Sequence, residues 1–182
     1  MHVSQAGQSG IGFARFLRTV VLDWRNASGS QHRAHLSVFR CTQPEDSTYD
    51  EDSGLETHDY PWEYEVQDYV RRRHVPAHPP EFLLLGYDDK GLAAVIEIKV
   101  SEFDRFCFIA AVAIAQRVSG RGLAAEALAR VHNVMTAYRI TSNYTAMARI
   151  DPDNWPAKSA FAKQGYEYLE IQEGYELWAR NF

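Results

Sequence analysis

One segment near the middle of the chain, residues 112–124, joins an apolar run to a helical pattern through a basic, glycine-rich turn. Gly120 and Gly122 lie in that turn, and the helical pattern begins directly after them. Glycine lets a backbone approach an anion closely, and the first amides and the dipole of a helix favour negative charge. Arg117 and Arg121 add positive charge beside the turn. The segment therefore predicts a phosphate-binding turn, although the same glycines also suit a plain strand–loop–helix connection.

The composition of the chain is that of one soluble globular domain, with 182 residues of which 46% are hydrophobic and 24% charged. No apolar run reaches the length of a membrane span, and residues 1–12 lack the pattern of a signal peptide. Two cysteines, Cys41 and Cys107, are too few for a disulfide framework. We therefore expect a cytoplasmic protein that does not associate with a membrane.

The charge of the chain limits its partners. A net charge of −5 argues against sequence-independent binding to nucleic acid, which needs a basic footprint. The same charge is compatible with a cationic or neutral substrate. His74 and His78 have the spacing of a metal-binding pair, but prolines surround them and no cysteine is near, so no metal site is predicted.

The first half of the chain gives weak secondary-structure patterns. Residues 13–24 carry apolar side chains at helical spacing, and residues 35–41 alternate as in a strand. Residues 43–57 are polar and acidic and predict a loop, with room for a short helix. Residues 60–73 predict a helix that ends before a group of prolines.

The second half gives stronger patterns. Strands are predicted at residues 81–87, 92–100, 106–115, 144–150, 166–172 and 175–181. Helices are predicted from residue 120 to 138, and from a cap at Asp153 or Asn154 to Gly165. Strands that are joined by short turns should be antiparallel, whereas 106–115 and 144–150 flank a long helix and should be parallel.

Two motifs resemble signatures of the GNAT superfamily, the acyl-CoA-dependent N-acetyltransferases. The turn from Arg117 to Gly122 resembles the Gln/Arg-x-x-Gly-x-Gly/Ala signature. The helix that starts at Asn154 and ends in Lys163-Gln164-Gly165-Tyr166 is similar to the family's Asn-x-x-Ala helix, which ends in Lys-x-Gly-Phe/Tyr.

The resemblance covers residues 36–182, and residues 40–46 are similar to the family's usual first strand and turn. Residues 1–35 are then an N-terminal extension, with a flexible start and a helix that is a candidate element of a homodimer.

The resemblance implies a mixed α/β (α+β) fold. Its central sheet is mostly antiparallel, with one splayed pair of parallel strands and helices on both faces. Acetyl-CoA would lie in the cleft between strands 106–115 and 144–150. The residues that the resemblance implies for binding acetyl-CoA are Val112, Ala113, Ile114, Arg117, Val118, Ser119, Gly120, Arg121, Gly122, Leu123, Ala124, Asn154, Ala157, Phe161 and Lys163.

The chain departs from the family pattern at two positions, and these affect the expected mechanism. Phe161 stands where many members have a tyrosine that protonates the CoA thiolate, so we name Tyr166 as a candidate acid, with Tyr144 and water as alternatives. Ser119 stands where a basic residue is common. Glu97 interrupts an apolar strand and is the candidate general base. Alternatively, Glu97 and Lys99 share a solvent-exposed face as ion-pairing residues.

The acceptor side gives two ambiguous signals. The acidic residues between 45 and 56 could attract a cationic amine, or they could belong to a solvated loop. Trp62, Tyr64 and Tyr69 could line a pocket, or they could pack on a helical core face. Both signals lie in the part of the chain where the resemblance implies the acceptor side.

We therefore expect an acyltransferase that moves an acetyl group from acetyl-CoA to a primary amine of a small molecule or peptide by direct attack. Phe161 keeps open an acyl-CoA-binding sensor or scaffold without catalysis, and a member that acetylates aminoacyl-tRNA is a further alternative. A nicotinamide-dependent oxidoreductase is a remote alternative, because residues 120–125 fit G-x-G-x-x-A and Asp151 follows.

Overall fold

The structure is a computed structural model that describes residues 21–43, 47–52, 55–75, 80–137, 139 and 143–182. The strands are β1 Asp23–Asn26, β2 Ser47–Asp50, β3 Leu55–His58, β4 Glu81–Asp88, β5 Gly91–Ser101, β6 Phe106–Ile114, β7 Thr145–Ile150, β8 Glu167–Gln172 and β9 Tyr175–Asn181. The α-helices are α1 Ser30–Ser37, α2 Pro61–Arg72, α3 Leu123–Ala137 and α4 Trp155–Lys163, and a short 3₁₀ helix covers Gln116–Val118.

Seven strands form one sheet in the order β1-β4-β5-β6-β7-β9-β8. Every neighbouring pair in it is antiparallel except β6 and β7, which are parallel and are joined through α3. The predicted mostly antiparallel sheet with one parallel pair is therefore confirmed. Only one neighbouring pair among the described strands is parallel. The sheet is therefore not the doubly wound parallel sheet of a nicotinamide-dependent oxidoreductase.

The sheet separates two hydrophobic cores, which confirms the predicted helices on both faces. One core packs Ile96 and Ile98 of β5 against α3 and α4. The other packs Val95 of β5 against Leu36 of α1 and Val70 of α2. Neighbouring residues of β5 thus serve opposite cores, and both faces of this central strand are buried.

The parallel pair β6–β7 is short and opens towards the carboxyl ends of its strands. Its ladder runs from Phe106 opposite Thr145 to Phe108 opposite Met147 and ends there. On the other side of β6 the register with β5 shifts after Ile109, which leaves Ala110 as the extra residue of a β-bulge. A bulge bends its strand and increases the local twist. We attribute the opening between β6 and β7 to this bend.

The predictions for the first half of the chain were partly wrong. Residues 35–41 are not a strand, because α1 extends to Ser37 and buries His32 and Leu36, which lie one helical turn apart. Of the predicted helix 13–24, residues 13–20 lie outside the described residues. Its last two positions, Asp23 and Trp24, belong to β1 instead.

The segment before residue 36 contributes to the sheet. β1 pairs antiparallel with β4, and Leu22 and Ala27 on either side of β1 are buried. The strand predicted within residues 40–46 is not seen at 40–43, and residues 44–46 lie outside the described residues. The sheet begins before the predicted boundary at residue 36.

The polar region 43–57, predicted as a loop, contains the two-stranded antiparallel hairpin β2–β3. The helix predicted at 60–73 is confirmed as α2. The strands and helices predicted from residue 81 onwards are confirmed within one to three residues at their ends. Within the described part of the chain, no helix combines the length and the apolar composition that a membrane crossing requires.

Candidate active site

A cavity of about 650 Å³, which we call the cleft, occupies the opening between β6 and β7. Residues 109–114 of β6 and residues 148–150 of β7 form its two sides. Residues of α4 line it on one face of the sheet, and residues of α2 line it on the other. The cleft therefore connects the two faces of the sheet through the gap left by the splayed strands.

The edge of β6 presents unpaired backbone groups to the cleft. The N–H of Ala115 donates to the carbonyl of Ala93 on the β5 side at 2.7 Å, and backbone groups alternate sides along a strand. The N–H and C=O groups of Val112 and Ile114 therefore point away from β5 and into the cleft. These groups can pair with an extended, amide-containing ligand.

The glycine-rich turn follows β6 and closes one end of the cleft. Gly120 and Gly122 have left-handed backbones with φ angles of 74° and 79°, and both line the cleft. The N–H of Ala125 donates to the carbonyl of Gly122 at 3.1 Å and starts α3, so the amides of Leu123 and Ala124 precede the first intrahelical donor. Such amides, at the positive end of a helix dipole, suit a phosphate group.

Three residues that were predicted at this turn do not line the cleft. Val118 is buried in the core, and Arg121 is exposed. The guanidinium of Arg117 forms a two-pronged ion pair with Asp88, including Nη2 to Oδ1 at 2.9 Å, and Nη2 also donates to the carbonyl of Gly91 at 3.1 Å. Arg117 thus fastens the β4–β5 hairpin, and its hydrogen bond to Asp88 lowers the pKa of that carboxyl.

Helix α4 brings the second predicted group of residues to the cleft. Asn154, Ala157, Phe161 and Lys163 all line it, as do Ser119, Leu123 and Ala124 from the first group. The side-chain oxygen of Asn154 accepts from the N–H of Ala157 at 3.0 Å and caps the helix. The cap uses only the oxygen, and the Nδ2 group of Asn154 has its own donors for a ligand.

Tyr166, the candidate acid, does not line the cleft. Its side chain is 3% exposed, and its ring packs edge-on against Phe161 with centroids 5.0 Å apart. Its hydroxyl has no hydrogen-bond partner among the described residues. Burial raises the pKa of Tyr166 above its usual value, chiefly because the ionised form would lose its hydration. Phe161 separates this ring from the cleft.

Glu97, the candidate base, is fully buried on β5, whereas Lys99 is 42% exposed. The alternative that Glu97 and Lys99 share a solvent-exposed face is therefore wrong about exposure. It is right about ion pairing, since Glu97 pairs with Arg73 and Lys99. Arg73 Nε lies 2.8 Å from Glu97 Oε2, in an ion pair whose N–H is not aligned for a hydrogen bond. Burial raises the pKa of Glu97, and the charge of Arg73 opposes that rise.

Glu97 does not line the cleft, but its neighbour Tyr69 does. Burial raises the pKa of the Tyr69 hydroxyl to about 12, and the nearby charge of Glu97 adds to the rise. Arg73 lies over the Tyr69 ring with its guanidinium carbon 5.7 Å from the centroid. Tyr69 therefore links the buried Glu97 to the cleft, since it neighbours Glu97 and also lines the cleft.

Helix α2 supplies the wall on the other face of the sheet. Trp62, Val66 and Tyr69 follow helical spacing and line the cleft, together with Glu63 and Glu65. The third predicted aromatic residue, Tyr64, is exposed and lies beside His58, with ring centroids 6.0 Å apart.

Glu63 and Glu65 were not predicted at the site, because the longer acidic run before α2 is the stronger charge signal in the sequence. In that run Glu51 and Asp52 are exposed, and the remaining acidic side chains lie outside the described set. His78, of the histidine pair considered for a metal, also lies outside the described residues.

Comparisons with known proteins agree with this geometry. A sequence model described as the Acetyltransferase (GNAT) family matches residues 43–166. A search of curated proteins finds no match.

Several solved structures resemble the fold. PaiA N-acetyltransferase from Thermoplasma acidophilum, solved with coenzyme A, is 14% identical with a TM-score of 0.65, over 88% of this chain and 99% of that one. Nourseothricin acetyltransferase is 14% identical with a TM-score of 0.60, over 88% and 98%. The AtaT toxin, in a mutant form bound to the C-terminus of the antitoxin AtaR and acetyl-CoA, is 13% identical with a TM-score of 0.59, over 88% and 92%.

At these identities the structural likeness concerns the fold alone. The sequence match is independent of that likeness and covers more than half of the chain. Both agree with the splayed strands and the glycine-rich turn. The chain belongs to the GNAT family of acetyltransferases.

Proposed function

We propose that the protein transfers an acetyl group from acetyl-CoA to a primary amine of a small molecule or peptide. The observation that carries the proposal is the unpaired edge of β6, which leads directly to the free amides at the start of α3. The first feature suits the amide groups of pantetheine, and the second suits a diphosphate. Asn154 and Ala157 of α4 would flank the same ligand.

In the proposed reaction a neutral amine attacks the thioester carbonyl directly. A C–N bond forms, the C–S bond breaks, the amine loses one proton and the departing thiolate gains one. The backbone N–H of Ile114 points into the cleft and would stabilise the negative charge that develops on the carbonyl oxygen. Positioning both reactants in one cleft supplies much of the remaining rate.

We assign the role of proton acceptor to Glu97, acting through Tyr69. Glu97 is a buried carboxylate whose pKa is raised, which brings its basicity closer to that of a useful general base. Tyr69 both neighbours Glu97 and lines the cleft. In this role Glu97 does not touch the substrate. Its carboxylate makes no hydrogen bond among the described residues, so the Tyr69 hydroxyl would turn towards it to pass the proton on.

We assign protonation of the departing thiolate to water. Phe161 lines the cleft where a hydroxyl would be useful, and the candidate Tyr166 lies behind it. A thiolate is a stable leaving group, because thiols have pKa values of about 8.5. Transfer can therefore proceed with protonation by water after the C–S bond breaks.

Two measurements test the proposal. Isothermal titration with acetyl-CoA reports binding, and a thiol-release assay with a panel of primary amines reports transfer. Binding with amine-dependent thiol release supports the proposed enzyme. Binding without release would favour the acyl-CoA-binding sensor, the alternative that Phe161 suggests. Absence of binding would overturn both.

The predicted cytoplasmic location and the predicted homodimer stay predictions. Residues 13–20 of the candidate dimer helix lie outside the described residues. Analytical ultracentrifugation of the full chain would measure the oligomeric state directly.

A further inference from the structure

We propose that the acceptor is a cationic amine, one that carries a second positive charge away from the nitrogen that reacts. This inference rests on the proposed function and narrows its substrate class. It comes from the wall that α2 contributes to the cleft, where two carboxylates lie on either side of an aromatic stripe.

The stripe and the carboxylates follow from helical geometry. Trp62, Val66 and Tyr69 lie four and three residues apart, so they share one face of α2. At 100° per residue, Glu63 and Glu65 lie on opposite sides of that face. All five side chains line the cleft. A ligand on this wall therefore meets a largely aromatic surface with a carboxylate at each border.

The charged side chains that line the cleft are Glu63 and Glu65 of α2, Arg149 of β7, Asp151 directly after β7, and Lys163 of α4. Among the described lining residues, the charged groups of α2 are both acidic. The two cations, Arg149 and Lys163, come from β7 and α4, and Arg149 forms an ion pair with Glu173 at 2.8 Å. The α2 side therefore attracts a cation, whereas basic side chains of the cleft belong to the side proposed for acetyl-CoA.

The aromatic rings of the stripe also suit a cation. Trp62 and Tyr69 both line the cleft, and aromatic faces attract ammonium groups. Arg73 already lies over the Tyr69 ring, 5.7 Å from its centroid.

The carboxylates are better suited to bind a second, distal positive charge than to bind the nitrogen that reacts. That nitrogen must be neutral when it attacks, and a carboxylate beside it would stabilise its protonated form and raise its pKa. A distal ammonium group keeps its charge throughout the reaction. Glu63 and Glu65 can therefore hold it without opposing catalysis.

Three para-substituted benzylamines test the inference, because each offers a single reactive nitrogen on the same flat ring. The substituent is trimethylammoniomethyl, which is a permanent cation, or neopentyl, its neutral isostere, or carboxymethyl, an anion. We expect kcat/KM to fall in that order, with the cation preferred over the anion by about tenfold or more at low salt. High salt should reduce that preference.

The variants Glu63→Gln and Glu65→Gln should each lower the cation-to-anion ratio, by roughly threefold. Glu102→Gln is the matched control, since Glu102 is exposed and does not line the cleft. Ratios are compared within each variant, so a change in folded fraction cancels. Equal use of cation and anion by the wild type, or an unchanged ratio in both cleft variants, would overturn the inference while acetyl-CoA binding and turnover persist. Loss of acetyl-CoA binding and of turnover with every acceptor would overturn the proposed function as well.

Discussion

Gly122 and Gly174 have nearly the same left-handed backbone, with φ angles of 79° and 85°, but only Gly122 lines the cleft. A Cβ atom at either position would meet no atom within 4 Å. Glutamate should therefore cost each site about 1–2 kcal/mol through its backbone alone. At Gly122 it also brings a side chain and a negative charge to the proposed phosphate site.

We therefore expect Gly122→Glu to abolish detectable binding of acetyl-CoA in isothermal titration. Gly174→Glu should show a similar loss of thermal stability and retain wild-type affinity. If Gly122→Glu bound acetyl-CoA as tightly as Gly174→Glu, the glycine turn would not be the diphosphate site.

Glu97 allows a test of the proton acceptor through the pH dependence of the rate. Burial raises the pKa of Glu97, and a base is needed at pH values where its carboxylate is ionised while the acceptor amine is still protonated. A general base matters most in that range, and we expect Glu97→Gln to lower kcat/KM there by about 10². Towards pH 10 the amine loses its proton without help, and the difference should narrow.

Glu81→Gln is the matched control for Glu97→Gln. Glu81 shares Arg73 and Lys99 with Glu97 in the same ion-pair network. Glu81→Gln should keep the wild-type maximum rate and move the acidic limb of the profile slightly to lower pH, because the charge of Glu81 contributes to the raised pKa of Glu97. The same loss of rate in both variants would argue that Glu97 is only structural.

Stability gives Glu97 a second pH signature with a defined sign. Because burial raises its pKa above the ordinary value of 4.5, the folded chain favours the neutral carboxyl. That contribution is complete below the unfolded pKa and declines as pH rises through the folded pKa. The stability of the wild type relative to Glu97→Gln should therefore fall with rising pH in denaturant titrations.

Tyr166 and Tyr144 are both buried tyrosines, but their hydroxyl groups differ. The Tyr144 hydroxyl lies 3.2 Å from His132 Nδ1, whereas that of Tyr166 has no partner among the described residues. Tyr166→Phe should therefore raise the free energy of unfolding by about 1 kcal/mol and leave kcat unchanged, while Tyr144→Phe should lower stability. A large fall in kcat for Tyr166→Phe, with unchanged acetyl-CoA affinity, would instead support Tyr166 as the proton donor.

Residues around the glycine turn show what a motif can predict and what it cannot. Gly120 and Gly122 were predictable because their backbone conformation and their role follow from local sequence. The partner of Arg117 was not, because Asp88 lies on a hairpin far back in the chain and only the packing of that hairpin brings them together. A positive charge near a phosphate motif therefore predicts attraction in general and no particular contact.

Helix α4 joins stability to ligand binding in one residue, Asn154. Its oxygen caps the helix, while its amide nitrogen is proposed to meet acetyl-CoA. Asn154→Ala should lower the free energy of unfolding by about 1 kcal/mol through loss of the cap. Asn154→Asp keeps a capping oxygen and should retain stability.

Both variants of Asn154 remove the amide donor, so both should weaken acetyl-CoA binding in isothermal titration. The aspartate variant separates the two roles, since only its binding should change. Wild-type affinity in Asn154→Asp would restrict Asn154 to capping.

Elements with strong periodicity were predictable, whereas short or exposed elements were not. The apolar side chains of α3 repeat over fifteen residues and define one buried face. Helix α1 has only eight residues, of which His32 and Leu36 are buried. Such a short helix shows little helical periodicity, and the alternation of polar and apolar residues from residue 35 onwards resembles that of a strand. The bulge at Ala110 left no sequence signal, because Ala110 continues the apolar run between Ile109 and Ala111.

At the scale of the whole molecule, the splay between β6 and β7 depends on strands from distant parts of the chain. β5 holds the far edge of β6, and β9 holds the far edge of β7. The edges that face the cleft are left without strand partners beyond Phe108 and Met147. The parallel pairing was predictable from the intervening helix, but the extent of the gap depends on this packing.

The strand β1 forms one edge of the same sheet, and its contacts bear on where the folded unit begins. It pairs with β4 over four residues, and the indole N–H of Trp24 donates to Glu126 of α3 at 2.8 Å. Leu22, next to it, is buried in the core shared with α1 and α2. A chain that starts at residue 36 loses all of these contacts together, and it also loses most of α1.

We expect such a truncated chain to lose more than about 3 kcal/mol of stability, since deletion of one buried leucine side chain costs a similar amount. β4 would become an edge strand with unpaired backbone groups, which favours aggregation. Urea titrations of the full and truncated chains measure the loss. Leu22→Ala in the full chain is the comparison, because it removes the buried side chain and keeps the β1–β4 ladder. Equal stability of the full and truncated chains would show that a folded unit beginning at residue 36, as first predicted, is sufficient despite the strand that precedes it.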